Sequence, residues 1–194
     1  MAYAIGTVVA CVILIGIVAS LKARRLDALH KNIVKSRVAL EAALNSRARC
    51  AIEVSRSGVL NLASSVVVDQ AASECLQGAG YVLVDDGLDD IYVSDPDGER
   101  ISALKRGGPN RVAAESELSR VLRYTVDELD DADIHGDVQL LAELDRVRQA
   151  VRLTRRFHNI HVAGARRIRR TLLARMFRIH GYASWPQTVD LDDE

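Results

Sequence analysis

The sequence predicts an all-α protein: an N-terminal transmembrane helix that continues into an antiparallel cytoplasmic helix bundle. Three observations lead there. Of 194 residues, 48% are hydrophobic but only 4% aromatic, and a core of Ala, Leu and Val with few rings suits helices better than sheets. Residues 2 to 21 carry no charge. Beyond them, apolar side chains return at spacings of three, four and seven, the period of one helix face.

The uncharged stretch, "AYAIGTVVACVILIGIVASL", would be about 30 Å long as a helix, matching a bilayer's hydrocarbon core. Lys22, Arg24 and Arg25 follow at once. By the positive-inside rule they place the N-terminus outside and the rest of the chain in the cytoplasm of the cell. The rival, a cleaved signal peptide, wants a positive n-region that is missing and a better cleavage site than "VAS". Residues 1–24 are therefore read as an anchor.

Residues 25–77 read as the first helical hairpin. Leu26, Leu29, Ile33, Leu40 and Leu44 form one stripe, and no Pro or Gly interrupts residues 17 to 57, so the anchor and first cytoplasmic helix should be one rod. Ser57-Gly58 is the expected break. The stretch after it, with Val66, Val67 and Val68, suits a helix, although the valine run is also compatible with a strand. Residues 78–111, rich in Gly and Asp, suggest an acidic loop or small hairpin at the bundle tip. Within it, "SDPDGE" is a turn in which Asp95 and Asp97 cap backbone amides, not a calcium loop.

Residues 112–181 should hold the remaining bundle helices. Leu118, Val121, Leu122, Thr125, Val126 and Leu129 share a face, "ADIHGD" turns the chain, and a last helix starts at Val138. Its inward stripe is read as Leu140, Leu141, Leu144, Val147 and Val151, then Phe157, Ile160, Ile168 and Leu172, ending at Gly181 and Pro186. Residues 182–194 are an acidic tail.

The net charge is zero but blocked: about +6 over residues 22 to 56, −13 over 57 to 145, +11 over 146 to 180 and −4 at the end. Basic flanks and acidic middle can attract one another within the molecule. Cys11, Cys50 and Cys75 show no CxxC spacing, which predicts reduced thiols rather than a disulfide framework.

The densest charge is "RRFHNIHVAGARRIRR", residues 155 to 170. Its arginines come in pairs, and neighbours on a helix point about 100° apart, so no narrow stripe collects them. Nucleic acid is not the expected partner, because stacking aromatics and any recognised module are lacking. The expected role is a solvated bundle face paired with the acidic middle, together with a surface for lipid or an acidic partner. Lys22, Arg24, Arg25, Arg166, Arg167, Arg169 and Arg170 are the candidate contact residues. His158 and His161 have a spacing that can share a metal, but no third ligand lies within reach along the helix. No P-loop or nucleophile elbow is present. No catalytic residue, metal or cofactor is therefore expected; a membrane-bound metal-dependent hydrolase or a nucleic-acid-associated membrane protein is the alternative.

Two stretches resemble the LemA family of bacterial membrane proteins. "RVALEAALNSR", residues 37 to 47, is similar to a family helix pattern at Leu40, Glu41, Leu44 and Arg47. "RRFHNIHV", residues 155 to 162, is similar to its Arg-Phe-Tyr-Asn motif followed by Val, at Arg156, Phe157, Asn159 and Val162, with His158 in the place of Tyr. Arg37 stands where the family has Trp. The resemblance implies a helix bundle on the cytoplasmic membrane face without established catalytic residues. The function expected is thus a non-enzymatic interaction or scaffolding module, whose partners are the lipid bilayer and other membrane proteins or further copies of the chain.

Overall fold

A computed structural model describes residues 1–108, 110–129, 138–181 and 183–193. The described residues are helical, without strands. One helix, α1 (Ala2–Arg56), runs unbroken for 55 residues, as the absence of Pro and Gly beyond Gly16 requires. Its first part is long and apolar enough to cross a membrane, and its side chains there are exposed. Gly58 turns the chain in the left-handed region, at φ +81°, where a glycine avoids the Cβ penalty. Asn61 then accepts from Ser64 N at 2.9 Å and caps α2 (Leu62–Gly78). The valine run lies inside this helix, with Val68 turned to the core.

Residues 79–108 form a folded excursion against α1, not a hairpin. It holds a 3-10 turn (Asp89–Ile91), a short helix α3 (Pro96–Ser102) and an isolated bridge between Tyr81 and Lys105. "SDPDGE" is the start of α3: Pro96 opens the helix, and Asp95 makes no side-chain capping bond. Pro fits there because its missing N–H would be unbonded anyway. Gly98 is required by space, since a Cβ there would sit 2.1 Å from Tyr92 O.

Asn110 caps α4 (Arg111–Thr125) by accepting from Ala113 N at 3.1 Å. The expected turn "ADIHGD" lies outside the described residues. The next helix, α5 (Val138–Arg169), ends earlier than the sequence pattern suggests, because Thr171 caps a separate short helix, α6 (Leu172–Met176). From Ala183 the chain runs to Asp193 without helix or strand.

The core lies between α1 and the elements packed on it, in three clusters along the rod. Nearest the apolar end, Leu26 and Ile33 meet Leu88, Val162, Ala165 and Ile168. In the middle, Leu40 and Leu44 meet Leu83, Val84, Val151, Val189 and Leu191. At the far end, Ala51 and Val54 join Val68, Ala72, Leu118, Leu122 and Leu144. Early residues of α1 thus pair with late residues of α5. The three cysteines are free thiols; Cys50 and Cys75 are buried, and burial pushes the Cys50 thiol up to about 11.

Along α5 the inward positions are Leu144, Val151, His158, Val162, Ala165 and Ile168. Phe157 and Ile160, read from sequence as inward, are 50% and 53% exposed, and Leu172 is 75% exposed. The reason is the period: Leu144, Val151, His158 and Ala165 follow one another at seven-residue steps, and a helix holding that repeat presents His158 rather than Phe157 to its neighbour.

Candidate functional site

Two arginines of α1 fall within its apolar stripe. Arg37 lies between the first and second clusters and is fully buried. It donates to Asp86 through both terminal nitrogens, at 3.1 and 2.8 Å, and to Asp89 at 2.6 Å. Asp86 also accepts from Leu88 N at 3.2 Å and Gln187 N at 3.0 Å. One carboxylate therefore ties together α1, the excursion and the C-terminal segment. Burial opposes its charge, but the Arg37 guanidinium outweighs burial and holds Asp86 below the ordinary carboxylate range. At Asp89 burial prevails over Arg37, and its carboxyl is raised.

One cluster further, Arg47 donates to Glu115 at 2.8 Å and Ser119 at 2.7 Å, while Arg111 pairs with Glu41 at 2.5 Å and donates to Tyr81 O at 2.8 Å. Glu41 and Arg47, two of the family-like positions, are thus buried ionic groups, and Leu40 and Leu44 beside them are core. The sequence reading missed the role of Arg37, Asp86, Asp89, Arg111 and Glu115. A signal existed: Arg37 and Arg47 continue the stripe of Leu26, Ile33, Leu40 and Leu44, where a charge must find a buried partner.

The segment 183–193, read from sequence as part of an acidic tail, is a strap held by α5. Asn159 meets the Val189 backbone from both sides, donating to its carbonyl at 2.9 Å and accepting from its N–H at 2.9 Å. Arg166 donates to Pro186 O at 2.8 Å. Arg169 donates to Ala183 O at 2.8 Å and to Ser184 O, with its guanidinium 4.9 Å from the Trp185 ring centre. Arg155 pairs with the Asp193 carboxylate at 2.6 Å, and Arg123 with Asp192 at 3.0 Å. Polar side chains of α5 thus satisfy the carbonyls of a chain with no strand beside it.

The candidate contact arginines therefore divide. Arg166 and Arg169 bind the strap, whereas Arg167 and Arg170 are exposed, as are Arg24 and Arg25; Lys22 is half-covered. Of the family-like positions on α5, Val162 is core, Asn159 holds the strap, and Arg156 and Phe157 are exposed.

The histidine pair does not converge. His158 is buried, with Nδ1 3.3 Å from Ser36 Oγ and Nε2 3.2 Å from Gln187 O; His161 borders a shallow groove beside Lys35 and Phe157. Among the described residues no group of three or more His, Cys, Asp or Glu could hold a metal ion. A second, open groove between α2 and the start of α4 has mixed charge, with Glu74, Glu117 and Arg120 on its walls.

Burial, reinforced by Arg37, lowers His158 to about 4; burial, reinforced by Arg169, lowers His30 to about 4. Both are neutral in the folded chain near neutral pH. In the unfolded chain they take up protons near 6.5, so stability is greatest above that value and falls as the pH drops toward about 4. Asp89 and Glu41, raised by burial, act with the opposite sign. The histidine effect is therefore read by difference: between about pH 7 and about pH 5 the unaltered chain should lose more of its denaturant midpoint than His158→Asn does.

No protein-family model matches the chain, and neither does any curated protein or solved structure.

Proposed function

We propose that the chain is a single-pass, membrane-anchored, LemA-like protein whose antiparallel helix bundle is a non-enzymatic interaction or scaffolding module at the cytoplasmic face of the membrane. The observation that carries this reading is α1. Its apolar part is exposed along its length, and water would not tolerate twenty such residues. The same helix enters the folded body without a break. Lys22, Arg24 and Arg25 then set the orientation, N-terminus outside. Arg167, near the end of α5, and Arg170, just after it, are exposed on the body and are the candidate contact arginines of this region that remain to meet anionic headgroups or an acidic partner.

The test is made in native membranes. The full chain should resist alkaline extraction, and Val12→Lys with Ile13→Lys should release it. Protease should cut the body only in inside-out vesicles. Crosslinking there should capture membrane-protein neighbours or a second copy, and Arg167→Glu with Arg170→Glu should weaken that capture. A chain recovered soluble, a stretch 2–21 removed by processing, or a body found outside the cell would each overturn the reading.

A further inference from the structure

We infer that α6 and the turn after it, together with Trp185 of the strap, form a foot that inserts into the headgroup layer of an anionic bilayer beside the point where α1 leaves it. This rests on the membrane reading of α1 and adds a second, separate contact.

The first observation is an apolar surface that the fold leaves uncovered. Leu172, Met176 and Phe177 are 75%, 76% and 52% exposed, and Trp185 is 43% exposed. Leu172 and Met176 are one helical turn apart, so they share a face of α6. The opposite side is fixed: Ala174 is buried, and Ile179 and Ala183 pack on the cluster of Leu26 and Ile33. The foot is therefore held by the core, with its bulky side chains outward.

The second observation is height. α6 packs directly on α1, and Val18, Ala19, Lys22 and Ala23 are half-covered, unlike the residues before them. Leu26, the first core residue, lies about 7.5 Å beyond Leu21 along a helix. A leaflet's polar layer is roughly 5–8 Å deep. The foot is thus level with the headgroups when the apolar stretch is in the hydrocarbon.

The third is charge. Arg170, Arg175 and Arg178 flank the apolar residues and are exposed, and Arg24 and Arg25 extend the same sign on α1. Apolar side chains set among arginines suit an interface where acyl chains and anionic headgroups meet. Tryptophan prefers that depth for the same reason, an apolar ring with a polar N–H.

Trp185 is the sole tryptophan, so its fluorescence reports on the foot. The full chain, its Cys11 carrying a fluorophore attached in detergent, is reconstituted into phosphatidylcholine vesicles containing about a third phosphatidylglycerol and acyl chains brominated near the carboxyl end. Trp185 emission should be quenched, and more weakly when bromine sits near the chain terminus. Leu172→Ser with Met176→Ser and Phe177→Ser should remove more than half of the quenching at unchanged helix content. Arg170→Glu with Arg175→Glu and Arg178→Glu should reduce it in anionic vesicles only. A quenched Cys11 probe with an unquenched Trp185 overturns the foot while the anchor stands; if that chain also crosslinks to a second copy through Phe177, the patch is a self-association surface instead. When neither reporter is quenched, the anchor itself fails.

Discussion

Arg37→Met should be among the most damaging single substitutions in the body. It leaves Asp86 and Asp89 buried without the guanidinium that compensates them, and removing one partner of a buried ion pair costs about 3–5 kcal/mol. For a chain of this size that corresponds to a melting temperature lower by roughly 6–20 °C. The measurement is thermal unfolding of the detergent-solubilised full chain followed by circular dichroism. Arg37→Lys should recover only part of the loss, because an ammonium cannot repeat the two parallel bonds to Asp86 and the third to Asp89. Combining Arg37→Met with Asp86→Asn and Asp89→Asn should be milder than Arg37→Met alone. If Arg37→Met melted with the unaltered chain, the buried pair would have no structural weight.

Deleting residues 183–194 should have a comparable effect by a different route. Val189 and Leu191 then leave the cluster they form with Leu40, Leu44 and Val151, and each buried aliphatic side chain contributes about 1.5–3 kcal/mol. Asp86 also loses its bond from Gln187 N. The arginines that held the strap are rehydrated and add little. A total of roughly 3–6 kcal/mol should appear in chemical denaturation, and a peptide of residues 183–194 added in excess should restore part of it. Asn159→Asp tests the clasp alone: the carboxylate cannot donate to Val189 O, so two acceptors face one another, at about 1–3 kcal/mol. A truncated chain as stable as the whole would mean that the strap merely rests on α5.

Much of α1 was legible in the residues. An unbroken run without Gly or Pro, with a stripe at helical spacing, gave both its length and its inward face, and Ser57-Gly58 marked its end. In α5 the stripe holds at Leu144, Val151 and Ile168 but is misplaced at Phe157 and Ile160, because large apolar residues were given precedence over the period. Following the seven-residue step from Leu144 and Val151 would have landed on His158 and Ala165. The ionic core was hidden for a related reason: charged residues are ordinarily assigned to solvent, and only their place within an apolar stripe marks Arg37 and Arg47 as exceptions. The strap left the faintest trace. Most of its bonds run to backbone groups, which every sequence has, so the visible signs are its terminal acids and the alternation of Val189 and Leu191 with Asp190 and Asp192. Exposed Leu172 looked like a continuation of the helix core because nothing in the pattern announces the new start at Thr171.

The unbroken α1 also acts as a ruler. At 1.5 Å per residue it is about 80 Å long, and without a hinge the depth of its apolar end in a bilayer dictates how high the body stands above it. Each residue inserted between Leu21 and Lys22 would lift the body by about 1.5 Å and turn it by about 100°. Rotation is immaterial to a lone helix in a uniform bilayer, but elevation is not. Four added alanines would raise Trp185 and its neighbours by about 6 Å, out of the headgroups, while restoring nearly the same facing toward any neighbour of the span. Graded insertions therefore separate what the body requires of the lipid, which depends on elevation, from what it requires of another protein, which depends on azimuth.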